Sequence, residues 1–169
     1  MAALIEIILV RHAIAAERGA AFPDDRLRPL TRGGALRFRE AVKGLAELNV
    51  AVDLVLTSPL VRARETAMLL AAGLDPNPRV EELEALAPGG RPAAIVEAIK
   101  ARTKRHRRLA LVGHEPDLGE LATSLLGARG NIVFKKGGAC AIDLDGAMPG
   151  GPGTLRWLLT PRALRAIGR

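Results

Sequence analysis

The segment Leu4–Val10 (LIEIILV) is a near-unbroken apolar run of strand length, and it constrains the fold more than any other stretch of the chain. A strand with one face in water alternates apolar and polar residues. One that is apolar at almost every position must be covered on both faces, as a central strand between two helical layers is. The run has no basic segment before it, carries Glu6 and stops at Arg11. It is therefore expected to be neither a signal peptide nor a membrane span, and a cytoplasmic location is the default expectation.

The rest of the chain alternates helix and strand signals. A helix is expected from about Thr31 to Leu48, because Phe38, Ala41, Val42, Leu45 and Leu48 keep helical spacing on one face. Asp53–Thr57 reads as the second strand. Ser58-Pro59 reads as a helix start, with Ser58 capping free amides and Gly73 supplying the stop. Pro92 opens a helix through Ile95, Val96 and Ile99, Leu109–Val112 is a third strand, and Pro116–Leu126 is a helix closed by Gly127. Ala139–Leu144 and Leu155–Leu159 complete the pattern as strands, with a loop over Met148–Gly153 between them. The expectation is an α/β fold, a three-layer α/β/α sandwich around a largely parallel central sheet. With 169 residues, no internal repeat and no linker-like break, one domain over 1–169 is expected.

Composition narrows the function classes. Only three Phe, one Trp and no Tyr are present, so stacking platforms for nucleobases are poorly supplied and no nucleic-acid partner is expected. The single cysteine, Cys140, falls in an expected strand and reads as a buried apolar thiol. A formal net charge of +7 suggests an acidic partner, yet the basic residues are dispersed except in Arg102–Arg108 (RTKRHRR). That run reads as a solvated helix end and loop, with a docking patch for an anionic surface as the alternative.

In open α/β sheets ligands bind beyond the carboxyl ends of the strands. The first strand is followed there by Arg11 and His12, the second by Ser58 and Arg62, the third by His114. Three connections thus bring two histidines and two arginines to one sheet edge. Arginine is a permanently charged, bidentate partner of phosphate oxygens, and Arg62 lies in a first helical turn, where free amides already favour an anion. The set makes an electropositive pocket suited to a phosphoryl group. No metal site is expected, because arginines beside the histidines repel a divalent cation and no carboxylate cluster is expected at that edge. No cofactor is implied either: Gly33-Gly34 and Gly89-Gly90 lack the spacing of nucleotide-cradling loops.

These residues sit in motifs that resemble a known family: LVRHA at Leu9–Ala13, RPLTRGG at Arg28–Gly34, TSPLVRARETA at Thr57–Ala67, LAPGG at Leu86–Gly90 and LVGHEPDLG at Leu111–Gly119. Together they resemble the histidine phosphatase superfamily, with the phosphoglycerate mutase-like fold, and within it the SixA-type phosphohistidine phosphatases. The resemblance implies that His12 is a nucleophile that becomes transiently phosphorylated. It implies that Arg11 and Arg62 grip the phosphoryl oxygens, and that His114 binds and stabilises the transferred group. Arg28 matches an arginine near the pocket in that branch; entry into the following helix is an equally good structural reading of its motif. Ser58 reads as a helix cap rather than a phosphate ligand.

Two departures matter. Ala13 replaces the glycine of the superfamily's Arg-His-Gly triplet, as SixA-type sequences also allow. No residue securely matches the acid that mutases and phosphomonoesterases use on an alkoxide leaving group, although Glu81, Glu82 and Glu84 precede LAPGG. An imidazole leaving group, with a pKa near neutrality, needs far less help. The expected substrate is therefore a phosphohistidine-bearing protein. A small phosphomonoester or mutase substrate is the runner-up, and a non-catalytic phosphate or polyanion binder using Arg102–Arg108 and Lys135-Lys136 is a third reading.

Overall fold

The computed structural model describes residues 3–146 and 152–169, so the loop expected over Met148–Gly153 lies largely outside the described residues. The elements are β1 (Leu4–Arg11), α1 (Arg32–Glu47), β2 (Leu54–Thr57), α2 (Val61–Ala72), β3 (Arg79–Glu82), α3 (Pro92–Thr103), β4 (Arg108–Gly113), α4 (Asp117–Leu126), β5 (Ala139–Asp145), β6 (Thr154–Leu159) and α5 (Pro161–Ile167). A six-stranded sheet has the order β3-β2-β4-β1-β5-β6. The first four of these strands are parallel, whereas β5 runs antiparallel to both β1 and β6.

Side-chain alternation explains the apolar run. Ile8 and Val10 point into a core layer with Val55, Val112, Phe38 and Leu45, under α1, α2 and α5. Ile5, Ile7 and Leu9 point the other way, into a layer with Leu56, Leu111, Ile95 and Leu121 under α3 and α4. With both faces covered, every position from Ile7 to Val10 is fully buried. The architecture is the expected three-layer α/β/α sandwich with a mostly parallel sheet.

Local signals account for the element ends. Thr31 caps α1 by accepting from the Gly34 amide at 2.9 Å. Gly127 ends α4 in the left-handed region, at φ 58°, where a side chain is disfavoured. Leu48, placed by spacing on the buried face, is 37% exposed because the helix has already ended. Two elements escaped the sequence reading. The edge strand β3 (RVEE) carries charges at three of its four positions, and α5 is only seven residues long.

Candidate active site

Strands β2, β4 and β1 are adjacent, so their carboxyl ends present Ser58, His114 and the Arg11-His12 pair along one sheet edge. A cavity of about 410 Å³ opens there, and Arg11, His12, Arg28, Arg62 and His114 all line it. The imidazoles of His12 and His114 lie 5.1 Å apart between ring centroids, tilted by 51°. Both rings are buried, at 5% and 4% exposure.

The first ring's tautomer follows from its neighbour. His12 Nδ1 lies 2.7 Å from the Ala13 carbonyl, which can only accept, so Nδ1 carries the proton and Nε2 keeps its lone pair. Nε2 makes no hydrogen bond among the described residues. The backbone around it is pinned: the His12 amide donates to Gly113 O at 3.0 Å, and the Ala13 amide donates to Thr66 Oγ1 at 3.0 Å. Thr66 in turn donates to the Arg62 carbonyl at 2.7 Å, tying the His12 loop to the helix that carries the arginine.

Ser58 corrects an expectation. Helix α2 begins only at Val61 and has no side-chain cap, because the chain bends at Pro59-Leu60 before entering it. The Ser58 hydroxyl instead accepts from the Leu60 amide at 3.2 Å and bonds His114 Nε2 at 2.8 Å. A hydroxyl offers both a hydrogen and a lone pair, so this bond orients the ring in either tautomer. His114 Nδ1 is left buried without a partner.

The arginines are anchored at one end and unsatisfied at the other. Arg11 NH1 donates to Phe134 O at 2.7 Å, while Arg62 donates to the Asp25 carbonyl at 2.8 Å and to Asp25 Oδ2 at 2.9 Å. The Nε groups of Arg11 and Arg62 are buried with no hydrogen-bond partner. Arg28 is 7% exposed and held by Asp25 Oδ1 at 3.0 Å and by the Ala16 carbonyl at 2.7 Å. Asp25, which the sequence reading missed, therefore organises two arginines at once. Despite partial burial, those arginines hold its carboxyl below the usual range.

Burial pulls His12 down to about 4, with Arg62, Arg11 and Lys136 adding to the effect. His114 falls to about 3, again mainly by burial, with His12 and Arg62 contributing. The free site thus holds two neutral imidazoles. A cationic His114 beside a bound phosphoryl group would require that group's own charge to raise its pKa. In the unfolded chain both rings titrate near 6.5, so below that pH the unfolded state takes up protons that the native state refuses. Stability should be complete above about pH 7 and fall toward about pH 5 by on the order of 2 kcal/mol per histidine. Urea titrations at the two pH values check this, and the drop should shrink in a His12→Asn/His114→Asn variant.

Glu81, Glu82 and Glu84 do not reach the cavity. Glu81 pairs with Arg79 at 3.0 Å and with Arg102 at 3.5 Å, Glu82 with Arg64 at 3.2 Å, and Glu84 with Arg26 at 3.4 Å. Strand β3 stands at the sheet edge, with β2 and β4 between it and β1. Two carboxyls do line the cavity, Glu17 and Glu115, and Glu115 is the one next to His114 in the chain. Burial raises its pKa, against backbone N–H bonds from Gly119 and Phe134 and the charge of Arg11. Its signal was at hand, since it follows His114 directly in LVGHEPDLG. Glu17, Arg18 and Lys136 are further charged lining residues that the sequence reading missed. The basic run lies at the opposite edge, at the amino end of β4, where Arg107 and Arg108 amides and the Arg108 guanidinium engage Asp53.

Known proteins share both the sequence and this architecture. The family model for the histidine phosphatase superfamily (branch 1) matches residues 7–88. An uncharacterized protein of a Picosynechococcus species is 40% identical over 138 residues, covering 79% of this chain and 82% of that one. The phosphohistidine phosphatase SixA of Escherichia coli is 28% identical over 162 residues, covering 95% and 97%. The solved structure of the protein histidine phosphatase SixA complexed with tungstate superposes with a TM-score of 0.84 at 27% identity, covering 95% of this chain and 99% of that one. With its motifs in order along the chain and their side chains gathered on one sheet edge, this protein belongs to the histidine phosphatase superfamily and is similar to SixA over nearly its whole length.

Proposed function

We propose that the chain is a cytoplasmic, single-domain phosphohistidine phosphatase that works through a phosphorylated His12. The observation that carries this reading is the cavity itself, which gathers Arg11, Arg62 and His114 around the free His12 Nε2. Guanidinium groups are the planar, permanently charged donors that match phosphoryl oxygens, which are acceptors. A tetrahedral oxyanion held by the similar protein SixA supports the same occupant.

In the first step His12 Nε2 forms a bond to phosphorus as the substrate's N–P bond breaks. The electron pair stays on the departing imidazole, which takes a proton from solvent. Positive charge then spreads over the His12 ring, where Nδ1–H donating to the Ala13 carbonyl stabilises it. In the second step water attacks phosphorus, the P–Nε2 bond returns its pair to the ring, and phosphate leaves with both water protons. Arg11, Arg62 and His114 neutralise charge on the equatorial oxygens throughout, and Arg28 holds the arginine cluster through Asp25.

One observation favours a second reading. Glu115, lining the cavity with a raised pKa, is a candidate acid for a phosphomonoester leaving group. Its Oε1, however, accepts from the Gly119 amide at 3.0 Å, so the carboxylate already serves as an acceptor at the start of α4. The test is phosphate release, in chelator, from a phosphohistidine-bearing protein and from a panel of small phosphomonoesters, for wild type and Glu115→Gln. The phosphohistidine should be preferred, with Glu115→Gln retaining its rate within about threefold. Preference for the esters, with collapse in Glu115→Gln, makes the chain a phosphomonoesterase instead.

A further inference from the structure

The cavity around His12 continues into a smaller one. Lys136 lines both, and the second, of about 180 Å³, is also lined by Arg37 from α1 and by Arg162 and Arg165 from α5. Antiparallel β5 explains the placement: its amino end, entered from Lys135-Lys136, lies at the same edge as the carboxyl ends of β1 and β4. Lys136 is close enough to the nucleophile to help depress the His12 pKa.

The charge balance of this second cavity is unusual for the molecule. Its lining residues are Ala13, Ile14, Gly34, Arg37, Phe38, Lys136, Gly137, Pro161, Arg162 and Arg165, with no carboxylate among them. Other cavities of the molecule that are lined by basic residues include an acid: Glu17 and Glu115 stand among the arginines around His12, Glu97 beside Lys100 and Arg107, and Glu65 beside Arg32 and Arg39. Among the described residues Arg37, Arg162 and Lys136 have no ion-pair partner, and Arg165 only approaches Glu40, at 3.9 Å. Gly137, also in the lining, holds a φ of 80°, which a side chain would strain. Like charges gathered in one cavity repel one another until an anion joins them.

We infer that this cavity is a second anion subsite, which binds a phosphate or carboxylate group carried by the same molecule as the reacting phosphoryl group. Ordinary ligand pockets run to about 300–1,000 Å³, so this one suits a single ionic group at the end of a substrate rather than a whole ligand. The inference rests on the phosphatase reading of the adjoining cavity and adds a selection rule to it. Substrates with a second negative group close to the phosphoryl group bind more tightly, and because the subsite stands away from the reacting atoms the benefit falls on KM rather than kcat.

Calorimetry with non-hydrolysable probes tests it: alkylphosphonates against ω-phosphonocarboxylates of matched and increasing chain length, on wild type and on Arg37→Ala/Arg162→Ala. Both arginines are exposed on helix surfaces, so the double variant should fold normally. At the chain length that spans the two cavities, the carboxylate should tighten binding to wild type about tenfold, and the variant should lose that advantage. Carboxylated and plain phosphonates that bind alike at every length overturn the subsite, as does an advantage that survives in the variant. The two failures are distinguishable: phosphonates that bind without a carboxylate advantage overturn the subsite alone, whereas no phosphonate binding at all overturns the phosphatase reading and the subsite with it. Turnover of paired substrates identifies the source of the second group. A phosphohistidine peptide flanked by Glu is compared with one flanked by Gln, and a small bisphosphate with its monophosphate. The lower KM should belong to the more anionic member of one pair, and equal values in both pairs overturn the subsite.

Discussion

Replacing His12 with Ala is expected to lower kcat by about four orders of magnitude or more, because it removes the atom that receives the phosphoryl group. No other group in the cavity is placed to substitute. His114 Nε2 is engaged by Ser58 at 2.8 Å, and Cys140 is fully buried, with burial pushing its thiol up to about 12. Oxyanion binding should survive the change, since Arg11 and Arg62 keep their charge and donors and His114 keeps its ring beside them. Phosphate release and tungstate binding, measured side by side, therefore separate an enzyme from a passive binder. Lost turnover with retained binding supports catalysis at His12. Retained turnover would place the nucleophile elsewhere, and absence of turnover in wild type on every substrate would leave a binding module.

The second large effect is expected at Arg62. Arg62→Ala should reduce kcat/KM by about a hundredfold to a thousandfold, the range seen when one preorganised donor to a developing oxyanion is removed. Arg62 is 2% exposed, and it shares Asp25 with Arg28, so its loss also frees the carboxylate that holds the other arginine. Arg62→Lys keeps a buried charge and separates folding from function. It should fold, as thermal unfolding will show, yet recover little activity. A single ammonium cannot donate to the Asp25 carbonyl, the Asp25 carboxylate and a phosphoryl oxygen in the geometry of a guanidinium fork. Full activity in Arg62→Lys would mean that only charge is needed there.

The sequence was most legible where the chain repeats a physical period. Seven positions in a row, apolar at all but Glu6, demanded a doubly covered strand, and β1 is one. Polar residues stationed directly after three strands indicated a common edge, and the sheet order β2-β4-β1 brings His12, Arg62 and His114 together there. What stayed hidden depended on contacts between distant segments. Asp25 gains its place by bonding Arg62, thirty-seven residues away, and nothing within its own stretch of chain announces that. Lys136 reaches the cavity only because β5 runs antiparallel, a direction the helix and strand pattern does not encode. Ser58 looked like a cap because Ser-Pro commonly opens a helix, and the buried imidazole of His114 proved the stronger claim on its hydroxyl. Glu81 and Glu82 lost their candidacy once β3 took them to the sheet edge, and Glu84 once it paired with Arg26, whereas Glu115 sat unread beside a recognised histidine.

The most direct test is to find the phosphoryl group on the protein. The enzyme is mixed with a phosphohistidine-bearing protein, quenched in alkali, where phosphorylated histidine survives, and its peptides are read by tandem mass spectrometry. A phosphoryl group on His12 that appears during turnover and is gone once substrate is exhausted is the predicted result; an enzyme that turns over without ever carrying it, or carries it on His114 instead, would contradict the account.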